Sequence, residues 1–328
     1  MHAADRDGTG RRSGRSKLMT RTMRSLMDWK DWNPDEVKEL LNFAQIIEKD
    51  RFRYQGFLQN RTLVMLFQKT STRTRVSFEA GITELGGHAI FLDWEKTNFK
   101  LSRISFETHY LSKNSDLIMA RMKKNEDLEE MLSSSTVPVI NGCCDKYHPC
   151  QALADMLTMA SSQEKPIEGT KLTYIGVHNN VVNSLMSVCG ALGVQLTLVC
   201  PEAQFIDESS RDQLLTNGLL TETLDLGAAV KDADYVYTDT WVDMEFFNDP
   251  DYQQQKEERL KLMMPYQINK KLMEGSKAKI MHDMPIHPGY EISEEMVYDE
   301  RSIIFNQAAN RLIAQKAIMI TLLGMNHQ

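Results

Sequence analysis

Short, wholly apolar runs alternate with helical stretches along almost the whole chain, and this alternation leaves few folds open. Thr62–Phe67 is such a run, and Ala89–Leu92, Asp116–Ala120 and Val137–Ile140 repeat it. Further on come Lys171–Ile175, Gln195–Val199, Tyr235–Thr238, Lys279–Met281 and Ser302–Phe305. Strands apolar on both faces need cover on both faces, as in parallel sheets flanked by helices. Asn33-Pro34-Asp35-Glu36 opens one helix, with a capping Asn, Pro in the first turn and acids at the positive dipole end. Leu40, Leu41, Ala44 and Ile47 follow at helical spacing. Arg73–Leu85 reads as a helix stopped by Gly86-Gly87, Pro149–Met159 as a helix at the domain junction, and Ala308–Leu323 as a long apolar closing helix. The expected fold is α/β, with two doubly wound parallel-sheet domains joined by interdomain helices. Residues 1–20 read as an arm or tag, 21–150 as the first domain and 151–306 as the second. The closing segment 307–328 is expected to pack back on the first domain.

Composition removes whole classes of function. At 328 residues the chain is long enough for two domains, and 42% hydrophobic and 25% charged residues are ordinary for a globular protein. Lys and Arg number 38 against 45 Asp and Glu, a net charge of −7, which argues against nucleic acid as a partner. No apolar run approaches the roughly 18 residues of a membrane helix. Five cysteines without a disulfide pattern point to a reducing compartment and a cytoplasmic protein. The Gly-, Arg- and Ser-rich start contains Asp5 and Asp7, which count against a transit segment.

In doubly wound folds ligands bind beyond the carboxyl ends of the strands. After Thr62–Phe67 comes Gln68-Lys-Thr-Ser-Thr-Arg-Thr-Arg75, which combines hydroxyls and guanidinium groups at a helix start. Free N–H groups, the helix dipole and forked Arg donors make this an anion site, better suited to phosphate than to simple capping. Arg121 follows another strand, and His148 and Gln151 share one face at the start of the next helix. Cys143, Cys144, His148 and Cys150 lack zinc-ligand spacing and read as buried thiols, with no metal expected. Gly176-Val-His-Asn-Asn180 follows a strand without G-x-G-x-x-G, and no P-loop occurs, so a nicotinamide oxidoreductase is disfavoured. Asp239 and His282-Asp283 complete the strand-end polar groups.

Together these residues resemble the aspartate/ornithine carbamoyltransferase family, its ornithine branch more than its aspartate branch, from about Asp31 to Leu323. Ser71–Arg75 is similar to the family's carbamoyl phosphate loop and His148-Pro149-Cys150-Gln151 to its HPxQ motif. Tyr237-Thr238-Asp239-Thr240-Trp241 resembles YTDxW, Asn310-Arg311 resembles ENR, and Gly176–Asn180 resembles GDxxN. The resemblance implies a homotrimer, or a multiple of it, that uses no cofactor. It places Ser71, Thr72, Arg73, Thr74 and Arg121 on the phosphate, and Arg121, His148, Gln151 and Arg311 on the carbamoyl group or bridging oxygen. It places Asn180, Asp239, Asp243, Met244, Asp283 and Met284 around an amine acceptor, with Asp283 also among the catalytic residues. Ornithine, giving citrulline, is the implied acceptor.

Four motifs depart from the family pattern. SMG is replaced by Asp243-Met244-Glu245, HCLP reads His282-Asp283-Met284-Pro285, and the Arg-Gly that usually follows is His287-Pro288-Gly289. The segment Lys96–Thr108, equivalent to a loop lent to a neighbouring subunit, lacks QLG…GES. New carboxylates at the acceptor end attract ammonium groups and repel carboxylates. Two alternatives therefore stand beside ornithine: a diamine acceptor such as putrescine, and a non-catalytic paralogue that binds a phosphate ligand.

Overall fold

The computed structural model describes residues 24–242, 247 and 250–324. The first half holds β1 (Thr62–Phe67), β2 (His88–Asp93), β3 (Leu117–Arg121) and β4 (Val139–Cys143), with α1 (Pro34–Lys49), α2 (Thr72–Glu84), α3 (Ile104–Asn114), α4 (Asn125–Ser134) and α5 (Pro149–Ser161). The second holds β5 (Lys171–His178), β6 (Gln195–Ala203), β7 (Leu220–Glu222), β8 (Tyr235–Thr238) and β9 (Lys279–His282). Its helices are α6 (Asn180–Leu192), α7 (Glu208–Thr216), α8 (Leu226–Lys231), α9 (Gln253–Met263), α10 (Glu294–Val297) and α11 (Ile304–Leu322). The strand orders are β2-β1-β3-β4 and β7-β6-β5-β8-β9, and every pairing within the sheets is parallel. This is the two-sheet α/β architecture expected from the alternation of apolar runs and helices.

Local chemistry explains the element ends. Asn33 caps α1: its side chain accepts from the Glu36 N–H, and Glu36 accepts from the Asn33 N–H in return. Ser71 caps α2 by accepting from the Thr74 N–H. At the far end of α2 the chain turns through Gly86 at φ +84°, where an added Cβ would lie 2.7 Å from the Gly56 backbone. Only glycine fits there.

The apolar faces of α1, α5, α6 and α11 share a core with both sheets, including Leu63, Met65, Leu153, Leu185 and Ile318. The closing helix α11 packs against α1, α2 and α5. Buried Lys316 on it donates to Glu84 at 2.9 Å, and Met319 lies against Gly81 of α2.

Several boundaries differ from the sequence reading. Ser302–Phe305 is not a strand: Ser302 makes an isolated bridge to Ile280, and α11 begins at Ile304 rather than at Ala308. β4 starts and ends later than Val137–Ile140, running through Asn141-Gly142 to Cys143. β5 continues through Gly176 to His178, so Asn179 is the cap of α6 and Asn180 its first residue.

Candidate active site

The carboxyl ends of β1, β3, β4, β5, β8 and β9 open onto one cleft of about 580 Å³. The first sheet contributes Ser71, Thr72 and Arg73 at the start of α2, Arg121 at the end of β3, and His148 capping α5. The second contributes Asn180, Asp239, Asp283 and Met284, and α11 inserts Arg311. The cleft therefore exists because strands of two sheets end on the same side.

The first wall is cationic. Lys69, Arg73, Arg121 and Arg311 all line it. Burial, reinforced by these four positive groups, holds the His148 imidazole well below its ordinary pKa. His148 is therefore neutral and can donate one N–H; its Nδ1 has no partner among the described residues. Arg311 is nearly inaccessible, donating to Gln151 Oε1 at 2.6 Å and to Thr74 Oγ1 at 3.0 Å. Its Nε, like that of Arg121, is buried without a partner among the described residues.

Behind this wall lies a hydrogen-bonded support. Gln151 accepts from Arg311 and donates to Asp155 Oδ1 at 2.8 Å, while Gln307 and Tyr237 also donate to Asp155, at 2.7 and 3.1 Å. The sequence reading put Gln151 on the carbamoyl group, but both ends of its amide are engaged and it does not line the cleft. Thr74 is likewise buried behind the surface rather than on it. Both residues aim Arg311. Asp155 escaped the sequence reading, although a single carboxyl in the apolar Pro149–Met159 helix is a usable signal.

Burial pushes the Asp155 carboxyl up to about 7 against three hydrogen bonds that lower it. The folded state thus binds a proton that the unfolded chain releases near pH 4, so stability falls as pH rises from about 4 to 7. The upper bound on that fall is about 4 kcal/mol. Melting temperatures of wild type and Asp155→Asn across this window should diverge, with the steeper decline in wild type. Parallel curves would contradict the assignment.

The opposite wall is acidic. Asp239 accepts from Asn179 Nδ2 at 2.7 Å and from the Thr240 N–H at 2.6 Å. Ligand-type atoms of Asp239, His282 and Asp283 all lie within 4.8 Å of one another, among the described residues the only such trio of potential metal ligands. His282 does not fit a metal there, because Nδ1 accepts from the Met284 N–H at 2.8 Å and Nε2 lies 3.0 Å from Glu291. Burial raises both Asp carboxyls, and their mutual repulsion raises Asp239 further, so the two resist carrying charge together. Asn180 donates to the Cys144 carbonyl at 2.6 Å, and Ser184 accepts from the His148 N–H at 2.7 Å, tying the two walls together. Asp243 and Met244 lie outside the described residues. Cys144 and Cys150 are thiols pushed up to about 12 by burial.

Comparison with known proteins decides the relationship. Residues 24–161 match the family model for the carbamoyl-P binding domain of aspartate/ornithine carbamoyltransferases, and residues 168–322 match that for the Asp/Orn binding domain. The chain belongs to the aspartate/ornithine carbamoyltransferase family. A catabolic ornithine carbamoyltransferase of Halobacterium salinarum is 39% identical over 307 residues, covering 92% of this chain and 100% of that one. The solved ornithine carbamoyltransferase of Pyrococcus furiosus is 36% identical with TM-score 0.84, covering 92% and 97% of the two chains. The anabolic one of Campylobacter jejuni is 32% identical with TM-score 0.83, covering 92% and 99%. In this carbamoyltransferase the cationic wall falls in the carbamoyl-P model except for Arg311, which falls with the acidic wall in the acceptor model.

Proposed function

We propose that this carbamoyltransferase moves the carbamoyl group of carbamoyl phosphate to the side-chain amine of ornithine, giving citrulline and phosphate. The observation that carries the reading is the convergence of Arg73, Arg121 and Arg311 from one side and Asp239 and Asp283 from the ends of β8 and β9 on one cleft. An anion is held on one side and a cationic amine on the other. On this reading Ser71, Thr72, Arg73 and Arg121 hold the phosphate, and Arg121, His148 and Arg311 face the carbamoyl oxygen. Asn180, Asp239, Asp283 and Met284 surround the acceptor. As the amine attacks, charge builds on the carbonyl oxygen, where fixed guanidinium and neutral imidazole donors stabilise it without reorganising. Phosphate leaves with the bonding electrons and accepts a proton from the new C–N centre. The reaction needs no protein nucleophile, metal or organic cofactor.

The substitution of Asp283 into the family's HCLP motif does not overturn ornithine. Burial and mutual repulsion both work against a second charge on the acid pair, so the added carboxyl changes the charge of this wall less than an exposed Asp would. A diamine remains the alternative that this wall favours, since it offers ammonium groups without a carboxylate. We also propose that the protein works in the cytoplasm as a homotrimer or a multiple of one, with the segment around Leu101 and Phe106 at a subunit contact. These residues are 85% and 62% exposed, costly for apolar side chains left in water. Incubating the purified protein with carbamoyl phosphate and ornithine, putrescine, lysine or aspartate, and identifying products by mass, tests the function. Citrulline as the dominant product is expected. Carbamoyl-putrescine alone would move the assignment to the diamine, and no product from any amine would leave only the non-catalytic paralogue.

A further inference from the structure

The acid pair has chemistry that binding alone does not use. Asp239 and Asp283 stand at the ends of adjacent strands β8 and β9, and both line the cleft. Asp239 is fixed by its two hydrogen bonds from Asn179 and Thr240. Asp283 Oδ1, by contrast, is buried with no hydrogen-bond partner among the described residues. A buried carboxyl oxygen left unpaired is costly unless a ligand or proton comes to it. His282 is 3.9 Å away, but its Nδ1 already accepts from Met284 and offers Asp283 no hydrogen. The charged groups bearing on Asp283 are Asp239 from β8, Arg73 from α2, Asp155 from α5 and Arg311 from α11.

Resting on the amine-transfer reading above, we propose that the Asp239–Asp283 pair is the proton acceptor for the attacking amine, so that the acceptor enters as an ammonium ion and is discharged in the cleft. The ammonium N–H bond breaks, its proton passes to the pair's free carboxylate, and the nitrogen keeps the electron pair. That pair then forms the C–N bond as the C–O bond to phosphate breaks. The second nitrogen proton goes to the departing phosphate, and the acid pair returns its proton to water when product leaves. The site drives this transfer from both sides. Burial raises the proton affinity of the carboxyls and outweighs the opposing pull of Arg73 and Arg311 on Asp283, while the same guanidinium groups disfavour a second cation and lower the proton affinity of the amine.

The test is the pH dependence of kcat/KM for the amine in wild type and Asp283→Asn, with carbamoyl phosphate titrated into both. Wild type should be flat across neutral pH. The variant should fall at least about 100-fold at pH 7, a typical size for lost general-base catalysis. It should then climb about tenfold per pH unit as free amine becomes available, so that a gap of about 100-fold narrows to about tenfold near pH 8 and closes near pH 9. Its carbamoyl phosphate affinity should stay within about threefold of wild type. A loss of the same factor at every pH, or a variant as flat as wild type, would overturn the proposal. Should Asp283→Asn fail to bind carbamoyl phosphate, Asp283→Ser carries the same comparison. Turnover of a primary amine other than ornithine would refute the ornithine assignment alone, and the profile is then read with that amine. Turnover of none refutes both.

Discussion

Replacing Arg311 by Met should abolish turnover while leaving the protein at least as stable as before. Arg311 is buried, and its guanidinium bonds two neutral partners, Gln151 and Thr74, with no carboxylate in contact among the described residues. A buried cation held this way is stabilised only in part, and an apolar side chain of similar volume is often neutral or stabilising in its place. The cost to folding is limited to the two hydrogen bonds lost, roughly 1 kcal/mol each. The effect on chemistry is much larger. Losing one fixed donor to a developing oxyanion costs roughly 100- to 1,000-fold in kcat, and a charged donor lies at the upper end. We expect kcat to fall at least about 1,000-fold, with a melting temperature equal to or above wild type. Steady-state rates and a thermal melt on one preparation check both halves. A variant within tenfold of wild-type kcat would remove Arg311 from the reacting group.

Arg73→Ala should act on binding instead. Arg73 lines the cleft at the start of α2, where burial disfavours its charge, Asp283 and Asp239 favour it and Arg121 repels it. Carbamoyl phosphate, or phosphate alone, binds the folded wall and should therefore raise the melting temperature of wild type by mass action. One charge-assisted forked contact contributes roughly 1.5–3 kcal/mol, so removing it should weaken carbamoyl phosphate about 10- to 150-fold. The ligand-induced rise in melting temperature should shrink accordingly. Calorimetric titration gives the dissociation constant directly. Unchanged affinity would place Arg73 off the phosphate.

Much of this arrangement was legible in the sequence because it depends on local signals. β1 and β8 were read to the residue, since Thr62–Phe67 and Tyr235–Thr238 are buried runs bounded by polar residues. The placement of Ser71, Arg73, Arg121, His148 and Asp283 beyond strand ends followed from the rule that parallel strands deliver ligand-binding groups at their carboxyl ends. What failed depended on contacts distant in sequence. Asn141-Gly142 looks like a turn, yet Asn141 bonds the Met27 carbonyl and the strand runs through it. Ile303-Ile304-Phe305 looks like a strand because the start of α11 has no side-chain cap to announce it. β7, a three-residue edge strand carrying Thr221 and Glu222, has no apolar run to read. Gln151 sits next to His148 in the motif, but the helix turns it toward Arg311, which is 160 residues away in the chain. The support built on Asp155 is equally invisible, since Tyr237, Gln151 and Gln307 meet only once both sheets and α11 are packed.

The most direct test of the account is a single turnover with carbamoyl phosphate carrying a labelled carbonyl carbon, with enzyme in excess and ornithine present. The label should appear in citrulline, with phosphate released in equal amount, and neither should occur without ornithine. Phosphate released at the same rate without ornithine, with the label lost to carbonate or cyanate, would contradict transfer to ornithine between the two walls of this cleft.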